Sequence, residues 1–103
     1  MNIKTNLEKI INIVKNIVPI KEAYLFGSYA YGMPNDNSDY DLYFIVDENL
    51  IKYETVVKIR AAIYEETKKS VDVRINTKEN FEYRAINKST LEHKILKDGV
   101  KLI

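Results

Sequence analysis

Residues 25–46 read LFGSYAYGMPNDNSDYDLYFIV, and the division of this stretch decides the fold. Residues 23–26 form a short apolar run that Gly27 cuts off, which reads as a strand ending in a turn. Residues 40–46 are rich in aromatic and β-branched side chains and read as a second strand. The connection between them, from Gly27 to Asp39, spans 13 residues, against about 4–6 for ordinary loops. Long connections inside compact domains tend to carry function, so this one is where chemistry is expected.

Working outward, Thr5 and Glu8 have the spacing of a capping box, and Leu7, Ile10, Ile11, Val14, Ile17 and Val18 follow at helical spacing until Pro19. On the other side, residues 51–68 return to a helical pattern with Val56, Ile59 and Ile63 on one stripe. Residues 71–75 alternate strictly and read as a third strand, and 77–85 as a short helix or turn. Ser89 and Glu92 suggest a second capping box, opening a helix that Gly99 ends, with a last strand over 100–103. The order helix, strand, strand, helix, strand, helix, strand predicts an α+β domain, a mixed sheet with helices packed on one face. No repeat, linker or low-complexity tract divides residues 1–103, so one domain is expected.

Composition narrows the function classes. Apolar residues make up 46% and charged residues 30% of the chain, values typical of globular proteins. No apolar run approaches the ~20 residues of a membrane span, and the N-terminal residues lack the pattern of a secretory signal. With no cysteine at all, a disulfide framework and a thiolate metal site are both excluded, which fits a cytoplasmic location. Sixteen basic residues against fifteen acidic ones give a net charge of +1, so the strong basic excess of a nucleic-acid binder is missing.

Three carboxylates are the candidates for chemistry. On a strand, residues i and i+2 share a face, so Asp39 and Asp41 project together while Tyr40 and Leu42 point away. Two such carboxylates repel, and one takes up a proton unless a cation lies between them; Mg²⁺ prefers hard oxygen ligands and arrives with phosphates. In SVDVRIN, residues 70–76, Val71, Val73 and Ile75 must face the core, which leaves Asp72 and Arg74 on the opposite face. If this strand lies beside residues 40–46, Asp72 joins the other two. Gly27 and Ser28 precede a possible short turn of helix, where free amides and a partial positive charge suit a phosphate. Each piece has a plain structural alternative: an ordinary turn for Gly-Ser, solvated carboxylates for Asp39 and Asp41, and pairing with Arg74 or a lysine for Asp72. Their conjunction is more specific than any one of them.

On Gly27, Ser28, Ala30, Gly32, Ser38, Asp39, Asp41, Leu42 and Asp72, the chain resembles the minimal nucleotidyltransferases of the DNA polymerase β-like superfamily. Phe81, Arg84 and the turn at Gly99 extend the likeness into the tail. The resemblance implies a nucleotidyltransferase fold holding a nucleoside triphosphate and two Mg²⁺ ions. Gly27 and Ser28 would contact the β- and γ-phosphates, and Asp39, Asp41 and Asp72 would ligate the metals. It further implies transfer of a nucleoside monophosphate, AMP from ATP, to a hydroxyl on a protein or small molecule, with release of pyrophosphate. Small members are often paired with a helical HEPN-type partner, in which case the nucleotidyltransferase is the antitoxin. A binding module with little or no catalysis, and a small-molecule enzyme of the antibiotic-modifying kind completed by a partner domain or by dimerisation, remain as alternatives.

One departure stands out. Many members carry Arg where this chain has Tyr31, and Tyr brings no fixed charge to the phosphates. Arg60, Arg74 or Arg84 are candidates to replace it. His93 sits in a charged helical stretch and is expected at the surface. The lysine-rich stretches 52–69 and 94–101 alternate with acids and read as solvated helix faces.

Overall fold

The computed structural model of the chain describes residues 3–32 and 39–103. Ser38, one of the residues carrying the resemblance, lies outside them. The elements are α1 (Ile3–Lys15), β1 (Glu22–Phe26), α2 (Ser28–Tyr31), β2 (Tyr40–Ile45), α3 (Tyr53–Thr67), β3 (Val71–Asn76), α4 (Lys78–Ala85), α5 (Leu91–Asp98) and β4 (Val100–Lys101), with a 3₁₀ turn at Glu48–Leu50. The four strands form one mixed sheet in the order β3-β2-β1-β4. β1 runs antiparallel to both β2 and β4, and β3 runs parallel to β2. A parallel neighbour needs a crossover, and α3 supplies it.

Strand alternation sorts the core into two layers. Ala23, Leu25, Leu42, Phe44, Val71 and Val73 meet α1 and α3 through Ile10, Val14, Ile59 and Ile63, all buried. The two long helices thus share one face, as the pattern of their apolar stripes requires. Tyr24, Phe26, Tyr43 and Ile45 point the other way and are closed over by Phe81 of α4 and Ile95 of α5. β2 is apolar on both faces beyond Asp41 and needs this second cover; the short pair α4–α5 provides it.

The helix ends differ from the capping boxes expected of them. α1 is already helical at Ile3, so Thr5 lies within it and does not cap it. Extending a docked helix by a residue costs little compared with nucleating one. At α5 the cap is Thr90, whose hydroxyl accepts from the His93 amide at 3.2 Å, while Ser89 Oγ donates to Asn87 Oδ1. Glu92 does not turn back to the cap. It is buried, accepting from the Tyr43 hydroxyl at 2.8 Å, with Arg84 Nε 3.1 Å from its other oxygen. His93 is half-buried, not a surface residue, and its Nδ1–H donates to the Ala85 carbonyl at 2.9 Å, stitching α4 to α5.

Gly99 ends α5 as expected, although not through a left-handed cap: its backbone is extended, at φ −73° and ψ 170°. Its requirement is steric. A Cβ there would lie 2.6 Å from the Ile95 carbonyl and 3.1 Å from the Leu25 carbonyl, so glycine allows α5 to turn directly into β4 alongside β1.

Candidate active site

The register of β2 and β3 is what assembles the site. Asp41 stands directly opposite Asp72 in the parallel pair, so both carboxylates rise from adjacent strands on one face, the face that α4 and α5 cover further along. Asp39 precedes β2 by one residue and shares that side by alternation. Asp39 is exposed, and Asp41 and Asp72 are half-buried. Arg74, two residues along β3, reaches Asp72 with Nε 3.8 Å from Oδ2, a loose ion pair.

The turn after β1 meets these carboxylates at close quarters. Gly27 has φ 73° and ψ −159°, a backbone region that only glycine occupies without strain. A Cβ on it would fall 1.8 Å from Asp41 Oδ2. Gly27 is therefore required twice, once for the bend and once for the space that Asp41 fills. The Gly27 carbonyl accepts from the amides of Ala30 and Tyr31 at 3.0 Å each, forming the single turn of α2. The amides of Ser28 and Tyr29 stand at the start of that turn, where no acceptor exists within the helix. Tyr29 packs on Tyr40 with ring centroids 4.6 Å apart, fixing the turn against β2. Gly32 closes α2 in the left-handed region, at φ 88°.

Burial, then the charges of Asp72 and Asp39, push the Asp41 carboxyl above its ordinary range, and Arg74 offsets only part of this. Among the described residues no three acidic or histidine side chains already converge as a metal-binding cluster. The donor set nevertheless fits a divalent cation: three hard oxygen ligands, one loosely placed guanidinium, and repulsion that a cation between the carboxylates removes.

That repulsion has a measurable sign. A carboxyl whose pKa is raised on folding favours the protonated native state, so ionisation of Asp41 costs stability as pH rises from the ordinary carboxylate range through its raised value. Asp41→Asn is expected to raise the melting temperature at pH 7. The gain should shrink towards zero as pH falls below the ordinary carboxylate range. A melting series across pH checks this, and a gain independent of pH would contradict it.

Of the three arginines expected as substitutes for Tyr31, Arg74 is beside Asp72, Arg84 is engaged by Glu92, and Arg60 lines a surface groove on α3 with Tyr53, Val57 and Tyr64. Among the described residues, a cation that does reach α2 is Lys94 of α5, whose Nζ lies 4.8 Å from the Tyr31 ring centroid. Nothing in the spacing pointed to it. Beneath the carboxylates lies a polar network equally hidden from the sequence. Asn76 Nδ2 donates to the Tyr43 hydroxyl, which donates to Glu92. Burial pushes the Tyr43 phenol far up, and the carboxylate beside it adds to the shift. In the sequence, Tyr43 was visible only as the next residue on the face of Asp39 and Asp41.

A mixed sheet, an Asp-x-Asp strand, a third Asp on the parallel neighbour and a glycine turn packed on the carboxylates define the nucleotidyltransferase class of fold. Residues 8–103 match the family model described as polymerase beta, nucleotidyltransferase. The chain belongs to that family. No curated protein sequence matches it. Among solved structures it is similar to a chain of the toxin–antitoxin pair MntA–HpeT, crystallised as a double Asp-to-Glu variant, at TM-score 0.69 and 18% identity over 93% of this chain and 71% of that one. A toxin–antitoxin structure with AMP-PNP matches at TM-score 0.66 and 17% identity, over 99% and 73% of the two chains. A Sulfolobus solfataricus protein assigned as a nucleotidyltransferase matches at 0.56 and 23%, over 94% and 76%. At these identities the likeness is one of fold. Among the described residues no helix is long and apolar enough to cross a membrane.

Proposed function

We propose that residues 1–103 act as one minimal nucleotidyltransferase domain in the cytoplasm. It binds a nucleoside triphosphate, ATP by preference, with two Mg²⁺ ions and transfers the nucleoside monophosphate to an acceptor hydroxyl. The observation that carries this reading is the fit of Gly27 against Asp41: the phosphate turn and the carboxylates occupy one place, with room for no side chain between them.

The chain's residues divide the work. Gly27 and Ser28 hold the β- and γ-phosphates through backbone amides and the Ser28 hydroxyl, which sets the α-phosphorus in line for attack. Asp39, Asp41 and Asp72 hold the ions, whose chemistry when bound is to neutralise the charge that develops on the phosphates. Asp72 also takes the proton of the acceptor hydroxyl as that oxygen bonds to the α-phosphorus. The bond from the α-phosphorus to the bridging oxygen breaks, and pyrophosphate leaves. Positioning and electrostatics supply most of the catalysis in such a reaction.

The acceptor is a hydroxyl on a partner protein of the helical HEPN kind, with this chain as the antitoxin. Two of the solved structures whose fold it shares come from toxin–antitoxin complexes. A second reading has a specific observation in its favour: Tyr31 carries no charge to the phosphate turn, as befits an antitoxin that acts by occupying its partner with little or no turnover.

The test is a thermal shift of the wild type and of the double variant Asp39→Asn, Asp41→Asn, with ATP and Mg²⁺ together and each alone. At ATP about 100-fold above Kd, binding stabilises the folded state by about 2.7 kcal/mol. The wild type should therefore gain several degrees with both ligands, and the double variant none. Equal shifts in the two proteins would overturn the site assignment. Pyrophosphate release in the presence of the partner then separates the enzyme from the binding module.

A further inference from the structure

On this reading of the site, the phosphates are held without an arginine in the turn, and another cation must meet them. α5 packs on the carboxylate face, with Ile95 buried beside Phe26 and Tyr43. Its C-terminal end is fixed at the exit of β1, because Gly99 touches the Leu25 carbonyl and Val100 pairs with Leu25. Two residues further along β1's path lies Gly27. Lys94, next to Ile95, is thereby carried to α2, where its Nζ stands over the Tyr31 ring at 4.8 Å and 2.7 Å from Asp98 Oδ2. In strand order Arg74 belongs to β3, on the far side of Asp41, whereas Lys94 reaches the turn that follows β1.

Both restraints on Lys94 are of the weak, exchangeable kind. The Lys94 and Asp98 side chains are 53% and 38% exposed, and the Tyr31 ring is at the surface. An exposed ion pair one helical turn apart and an exposed cation–ring contact each contribute little. A triphosphate offers the ammonium several charged oxygens in place of one carboxylate.

We propose that Lys94 is a nucleotide-binding residue: poised on the Tyr31 ring and restrained by Asp98, it transfers to the β- and γ-phosphates when the nucleotide binds. Tyr31 is then a positioning residue that acts through Lys94, and Asp98 is the competitor that the phosphates displace.

The experiment is calorimetric titration of ATP and of AMP, each with Mg²⁺, into the wild type, Lys94→Ala, Lys94→Arg, Asp98→Asn and Tyr31→Leu. Lys94→Ala should weaken ATP about tenfold, the loss of one charge-assisted contact, and leave AMP within about twofold. Lys94→Arg should keep ATP within about threefold of the wild type. Asp98→Asn should tighten ATP, a change opposite in sign that no structural role for an exposed ion pair would produce. Tyr31→Leu should weaken ATP in the wild type and have no further effect on Lys94→Ala. If the wild type binds ATP and Lys94→Ala binds it equally well, or loses ATP and AMP alike, the assignment of Lys94 is overturned while the carboxylate site stands. If the wild type binds no ATP with Mg²⁺, the reading of the site falls and the role of Lys94 with it.

Discussion

Gly27→Ala is expected to abolish the stabilisation by ATP and Mg²⁺ and to lower the melting temperature of the unliganded protein. Two independent costs meet at this position. The backbone at φ 73° and ψ −159° is one that an L side chain occupies only at a strain of about 1–3 kcal/mol. The added methyl group would also fall 1.8 Å from Asp41 Oδ2, so the carboxylate must leave its place. The first cost concerns stability alone, whereas the second dismantles the site. Comparing Gly27→Ala, Asp41→Ala and the double variant separates them, because contacting residues show a coupling energy that distant ones do not. The double variant should recover part of the lost stability, since removing the carboxylate relieves the clash and leaves the backbone strain. A Gly27→Ala protein that kept the full thermal response to ATP and Mg²⁺ would contradict the proposed contact between turn and carboxylate.

Phe81→Ala is expected to produce the largest loss of stability. Phe81 is 2% exposed and is the main apolar anchor of α4 on the sheet. It stacks on Tyr24 with ring centroids 5.3 Å apart and meets Tyr43 edge-on at 5.0 Å. Removing a buried phenylalanine costs about 3–5 kcal/mol, a large share of the ~5–15 kcal/mol that holds a domain of this kind folded. The urea midpoint should fall accordingly, with the slope of the transition unchanged. A loss below about 1 kcal/mol would mean that α4 is held chiefly by polar contacts. Those contacts exist: Lys78 of α4 and Lys101 of β4 both pair with Glu22 on β1. They are partly exposed, however, and such pairs contribute little.

Much of the fold was legible because period and punctuation carry it. The apolar stripe of 7–18, the alternation of 71–75 and the breaks at Gly27 and Gly99 placed the helices and strands within a few residues of where they lie. The capping boxes were not legible in the same way. Thr5 and Glu8 have the right spacing inside a helix as well as at its start. Glu92 has the right spacing for a cap, yet a buried hydroxyl from Tyr43 and a guanidinium from Arg84 offer it more than an exposed amide does. Together they hold the Glu92 carboxyl below its ordinary range although burial, the largest single influence, acts the other way. His93 went inward for a related reason, since the Ala85 carbonyl it meets comes from a neighbouring helix.

By itself the sequence determined which side chains share a face. Alternation put Asp39 with Asp41, set Asp72 and Arg74 against Val71 and Val73, and placed Gly27 at the head of a long connection, because the strand period is a property of the local backbone. Only the tertiary structure decided that β3 lies parallel to β2 with Asp72 opposite Asp41, that Asp41 fills the space a Gly27 side chain would take, and that Lys94 arrives over Tyr31 from α5. Those relations join residues far apart in the chain. They depend on how crossovers and helix pairs pack, and no local period encodes that.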